Sequence, residues 1–378
     1  MSGDATDRFV APFRDPELGR RLLGAIARAA RPGRTYALME FCGGHTHAIA
    51  RHGLPDLLPA GVRLIHGPGC PVCVLPVGRL DMALALAARP EVILTTYGDL
   101  LRIPASGGDT LFKARSRGAD VRMVTSSLDA VALAAAQPDR QVVFMAIGFE
   151  TTTPPTAVAV KQAEERGLDN FSILSNHVLT PPAIDAILGG SGAPRLDGII
   201  GPAHVSTVIG WGAYQDLAAR HQTPMVIAGF EPLDVLQAVH DLIGQVNAGR
   251  AEVGNQYARA VSRDGNPAAC ALVEALFEPR PDFAWRGLGR LPRSGLKLRP
   301  AYARFDAEAR FELTEPEGRE PPGCACGEVL KGATEPADCP LFATRCRPES
   351  PVGACMVSAE GACAAAHGHR RAPAAAPA

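Results

Sequence analysis

"QVVFMAIGFETTTPPTAVAVKQAEERG", residues 141–167, holds one complete structural unit. The run from Val142 to Gly148 is continuously apolar and rich in β-branched residues, which suits a strand buried on both faces. A short polar loop follows. Prolines then open a stretch in which small apolar and charged residues repeat at helical spacing until a glycine stops it. Strand, loop at the strand's carboxyl end, helix: this order recurs along the chain. From about residue 34 to 240 the candidate strands are "TYALMEF", "VRLIHG", "EVILTTYG", "DVRMVTS", "QVVFMAIG", "FSILSN", "LDGIIG" and "PMVIAG". Between them lie helical runs such as "GRLDMALALAAR", "SLDAVALAAA" and "AYQDLAARH". Such alternation predicts parallel sheets covered by helices, an α/β fold.

Eight strands suit two smaller α/β domains better than one sheet, with a break near "AAAQPDRQ". The expected domains are therefore 34–136 and 137–245, facing each other across a cleft. After about residue 250 the alternation stops. Residues 246–366, together with 1–33, are expected to form a third, irregular domain, because six cysteines in forty residues leave little room for an apolar core and call for a staple. The last residues, 367–378, read as a disordered tail.

Nearly every strand ends in a Gly- or Pro-rich polar loop: "CGGHTH", "HGPGCPVC", "TYGDLLRIP", "GFETTTPP", "SNHVLTPP", "GPAHVST" and "GFEP". Ligands of open parallel sheets bind beyond the carboxyl ends of the strands, so these loops are expected to converge on one site. The chain has 378 residues, a net charge of −1 and 5% aromatic residues. Balanced charge and few aromatics argue against a nucleic-acid binder or a polybasic membrane binder. No apolar run is long enough to span a bilayer and no signal peptide is evident, which predicts a cytoplasmic protein.

Ten cysteines in a cytoplasmic chain point to metal or redox chemistry more than to a disulfide scaffold. Cys324, Cys326, Cys339, Cys346, Cys355 and Cys363 lie within forty residues of each other. Zinc usually takes paired C-x2-C knuckles, and none occurs there; an iron–sulfur cluster needs four thiolates and tolerates irregular spacing. Zinc and free thiols remain the alternatives. Cys324 and Cys326 are too close in sequence for both to bind one cluster easily, so one of them would pair with another cysteine. Cys70 and Cys73, in "GCPVC", precede a helix, whose N-terminus lowers a thiol pKa. They read as a redox dithiol or half of a zinc knuckle.

Cys42 stands at a strand end before Gly43 and Gly44, which permit a sharp turn or a close approach. His45 and His47, two apart at a helix start, point differently and are not expected to share one metal, and one of them would carry protons or support a ligand. Glu150 is either an acid–base group or a cap or arginine partner. Asp99, His177, His204 and Glu231 hold comparable strand-end positions, each a weak signal alone. Cys270, on an apolar helix, reads as core. No nucleotide-binding glycine motif follows a strand.

Together "FCGGHTH", "HGPGCPVCVLP", "TYGDLLRIP", "GFETTTPPTA", "SNHVLTPP", "GPAHVSTVIG" and "CACGEVLKG…DCPLFATRCRPESPVGACMVSAEGACAA" resemble the HypD family of [NiFe]-hydrogenase maturation factors, in order, over about residues 13–366. The resemblance implies a redox scaffold that assembles the Fe(CN)2CO unit of the hydrogenase active site with a HypC-type chaperone. It also implies cyanide delivered from HypE and an onward route to the hydrogenase large subunit through HypC. By motif match Cys42 would hold the iron, with Cys70 and Cys73 facing it as a dithiol. His45 and Glu150 would serve the same site, with Asp99 and His204 in the cleft. Cys324, Cys339, Cys346 and Cys363 would hold a [4Fe-4S] cluster beside a second dithiol, Cys326 and Cys355. Two readings of other classes compete: a cluster-fed protein disulfide reductase and a zinc-stapled binding module.

Overall fold

The computed structural model describes residues 10–190 and 194–369. All eight expected strands form: β1 Tyr36–Glu40, β2 Val62–His66, β3 Val92–Thr96, β4 Val121–Met123, β5 Gln141–Gly148, β6 Phe171–His177, β7 Gly198–Gly201 and β8 Met225–Ile227. A short ninth, β9 Val253–Asn255, follows. Their pairing is parallel throughout, as the alternation requires. Burial explains the apolar runs, since β6 is buried along its whole length and β5 at every residue but Gln141.

The strands do not sort at residue 136 as expected. One sheet has the order β2-β1-β7-β8-β9 and the other β4-β3-β5-β6. The chain starts the first sheet, leaves it to build all of the second, and returns to finish the first. Local pattern marks strands but not their neighbours; β1 pairs with β7 across some 160 residues, Leu38 opposite Gly198, and no local signal encodes that.

Residues 1–33 were expected beside the cysteine-rich segment. The N-terminal helix Pro16–Ala29 instead packs on the helix Pro232–Ala248 over the first sheet, burying Ile26 among Leu236, Val239 and Tyr36. Asp15 caps it, accepting from the Glu17 and Leu18 amides. Residues 370–378 of the expected tail lie outside the described residues, and His367 still belongs to the helix Ala362–Gly368.

Beyond β9 the chain makes two small antiparallel pairs, β10 Phe277–Pro279 with β13 Leu296–Leu298 and β11 Asp282–Trp285 with β12 Gly289–Pro292. The cysteine-rich segment then wraps the short helix Pro71–Val74. It builds no separate core: Cys326, Leu330, Cys355, Met356 and Val357 share one apolar cluster with Val143, Met145 and Leu174 of the second sheet. Arg286 fastens the layers, its amide and Nε donating to the carbonyls of Val74 (2.8 Å) and Leu75 (3.1 Å). Arg79, fully buried, does likewise, reaching Glu308 (2.6 Å), Asn176 Oδ1 (2.6 Å) and the Ser175 carbonyl.

Candidate thiol and metal site

In the first sheet the chain steps from β1 to β2 on one side, while β7, β8 and β9 extend the other. The order reverses between β1 and β7, and open α/β sheets bind ligands outside the strand ends at such a point. Cys42 follows β1 and His204 follows β7. Their side chains meet there, Cys42 Sγ at 3.8 Å from His204 Nδ1.

Cys42 is extended and stands at the N-terminus of the helix Gly43–His52. Buried Glu40 fixes it from beneath. Glu40 Oε2 accepts the Cys42 amide at 2.8 Å, and Oε1 meets the Thr46 hydroxyl and His66 Nδ1. Burial pushes the Cys42 thiol up to about 12, so it rests protonated. Burial also lowers His204, which is therefore a neutral base facing that thiol.

The glycines around Cys42 are required by close approach. A methyl on Gly69 would lie 2.5 Å from the Cys42 nitrogen; the Gly43 amide donates to the Gly69 carbonyl at 3.0 Å. Methyls on Gly43 and Gly44 would lie 2.4 Å from Glu360 Cβ and from Phe230 Cε1. The Gly-Gly pair thus makes room for this chain's own Glu360 and Phe230. Glu360 escaped the sequence reading because an isolated glutamate in an irregular segment carries no periodic signal. It stands where both Asp99 and Glu40 act on it, and burial raises its pKa.

His45 is a strut. Its Nε2 lies 3.0 Å from the carbonyls of both Ala228 and Gly229, so this nitrogen carries the hydrogen, and burial holds the ring neutral. His47 points elsewhere, its ring 5.3 Å from that of His369. Glu231 pairs with Arg14. Cys270 is not core but half-exposed, donating to the Val208 carbonyl.

Glu150 has no arginine partner among the described residues. It accepts the Thr180 amide (2.8 Å) and hydroxyl (2.9 Å) at the start of the helix Thr180–Gly189, as a cap does. Burial outweighs these bonds and raises its pKa to about 7. His177 hydrogen-bonds Thr156 Oγ1 at 2.9 Å and is lowered by burial to about 4.

The remaining cysteines form a string. Cys70 Sγ accepts the Cys73 amide at 3.4 Å at the start of their short helix. Cys73 meets Cys355 across the layer boundary. Cys355 Sγ lies 2.7 Å from Cys326 Sγ, and Cys326 touches Cys324 in turn. Burial raises Cys73, so the helix terminus does not prevail there.

All six cysteines of the C-terminal segment line one small cavity of about 10 Å³. A methyl on Gly353 would lie 2.5 Å from Cys324 Sγ, and the Val352 amide donates to Cys346 Sγ at 3.3 Å. Amide donors to sulfur and a glycine-lined wall fit the soft donor set of an iron–sulfur cluster. Among the described residues no three His, Cys, Asp or Glu side chains converge to hold a single ion. A four-iron cluster takes one thiolate per iron, so its ligands surround a volume and not a point.

Two parallel sheets meeting at a string of buried thiols define an α/β protein with a cysteine-based site. The family model HypD, described as the hydrogenase formation hypA family, matches residues 17–370. The hydrogenase maturation factor HypD of Azotobacter vinelandii is 59% identical over 370 residues, covering 96% of this chain and 98% of that protein. Its counterpart in Cupriavidus necator is 54% identical (96% and 97% covered), and that of Escherichia coli 45% (96% and 98%). The chain belongs to the HypD family of hydrogenase maturation factors. Among the described residues no helix is long and apolar enough to cross a membrane.

Proposed function

We propose that this chain is the redox scaffold on which the Fe(CN)2CO unit is assembled, working in the cytoplasm with a HypC-type chaperone and with HypE as cyanide source. The carrying observation is the unbroken contact Cys73–Cys355–Cys326 between the cysteine cavity and the CxxC helix, which follows directly on Gly69, a residue that abuts Cys42.

Iron is the substrate. Cys42 binds it as thiolate, and His204 Nδ1 is placed to take the thiol proton as iron arrives. Soft thiolate donors suit iron that carries cyanide and CO. Cys324, Cys339, Cys346 and Cys363 would hold a [4Fe-4S] cluster, which supplies single electrons when bound. The Cys326/Cys355 pair then exchanges with Cys70/Cys73: one dithiol and one disulfide give the opposite disulfide and dithiol, moving two electrons and two protons. Glu40, His45 and Glu360 position Cys42 and its loop.

Infrared spectra of the complex copurified anaerobically with its chaperone test this reading. Cyanide and CO bands are expected in the wild type and absent in Cys42→Ala. Their persistence in that variant removes Cys42 from its role. A chain that exchanges thiols yet never shows the bands is a disulfide reductase, and zinc without acid-labile sulfide marks a zinc-stapled module.

A further inference from the structure

We propose that a groove over the cysteine cavity docks a small acidic iron–sulfur electron carrier of the ferredoxin class. The proposal rests on the redox reading of Cys326 and Cys355.

The groove, about 1080 Å³ and open to solvent, runs between the loops around Arg102–Lys113 and the segments at 319–322 and 345–352. Arg102, Lys113, Arg319 and Arg345 line it, all exposed. Arg102 and Lys113 bond only backbone carbonyls, those of Pro348 and Gly108. Among the described residues none of the four forms an ion pair. Of the two acids present, Glu320 is paired with Arg286, leaving Glu349 alone against four cations. In a chain of net charge −1 this is a local concentration of positive charge. Phe112 stands in it 60% exposed, an aromatic anchor within a charged rim.

Position supplies the second observation. Val352 lines the groove and donates its amide to Cys346 Sγ at 3.3 Å. At the next residue, Gly353, a methyl would lie 2.5 Å from Cys324 Sγ, so its backbone sits directly against that sulfur. One thickness of backbone therefore separates the groove from the sulfurs, at the end of the string away from Cys42. A basic patch there steers and orients an acidic carrier. The ferredoxin class is favoured because its potential lies below that of a protein disulfide. Two reduced carriers, one Cys326–Cys355 disulfide and two protons give two oxidised carriers and two thiols.

The full chain, purified anaerobically and immobilised, is presented with an acidic [2Fe-2S] ferredoxin, and binding is read by interferometry at about 20 and about 300 mM salt. Expected is binding that weakens about tenfold or more at the higher salt, and equally in Arg319→Glu/Arg345→Glu, with a smaller loss in Phe112→Ser. Cys326→Ser should bind like the wild type but release no new thiols from reduced ferredoxin. No binding, equal binding by the charge-reversed variant, preference for a flavodoxin, or self-association through the groove overturns the proposal. Binding that follows charge without thiol release leaves the docking standing and sinks the redox reading. Thiol release that is indifferent to Arg319 and Arg345 does the reverse.

Discussion

At the scale of single residues, the glycines of the site are defined by what they touch. Gly69 abuts the Cys42 backbone, and neither side can yield. Gly69→Ala should destabilise by about 1–3 kcal/mol, read by urea denaturation, and shift Cys42 off its strand end. Glu150 gives a pH prediction. Its carboxyl stays neutral up to about pH 7 in the fold, against 4.5 ordinarily. The folded chain thus binds the extra proton between those values, so this contribution is present at low pH and lost as pH rises through 7. Glu150→Gln should therefore flatten the stability difference between pH 5 and 8, by about 2–3 kcal/mol, unless lost Thr180 bonds offset it equally at both. His177, lowered to about 4, acts in the opposite sense, losing stability as pH falls from 6.5. Cysteines and strand-end residues were legible here because their types are rare and their places regular. Glu360 was not, because only the tertiary fold brings it to Gly43.

At the scale of elements, eight strands were readable, most plainly β3, β5, β6, β7 and β8, where burial on both faces writes a nearly continuous apolar run, while β2 and β4 are only partly buried. Sheet membership was unreadable for the reason seen at β1 and β7: neighbours far apart in sequence leave no local trace. The N-terminal helix shows the same limit. Nothing local in residues 16–29 names the helix Pro232–Ala248 that covers them. Arg79 joins three elements through Asn176, Ser175 and Glu308. Arg79→Ala leaves buried acceptors behind and should cost about 3–5 kcal/mol. The remaining Arg280–Glu308 pair keeps the loss toward the lower figure. A matched loss in Glu308→Gln would show that charge pairing carries the joint; no effect there would assign it to the Asn176 and Ser175 bonds.

At the scale of the whole molecule, the cysteine-rich segment is a wall of the second sheet's core and not a separate module. Stripping the proposed cluster with a chelator under reducing conditions should therefore lower the melting temperature of the second sheet along with the segment, in one transition by circular dichroism. Two resolved transitions would show that the shared core does not couple them.

The looped-out topology also sets an order of synthesis. Cys42 and Cys70 emerge with β1 and β2, but His204 and Phe230 follow only after β7, which begins at residue 198. From Cys42 to His204, at ribosomal speeds, that interval lasts roughly 8–32 seconds. During it Cys42, the thiol proposed to bind iron, has neither Phe230 nor His204 beside it. The proposed iron site is therefore finished only when the first sheet closes, and an unfinished chain would offer iron a loose thiol in place of a seat.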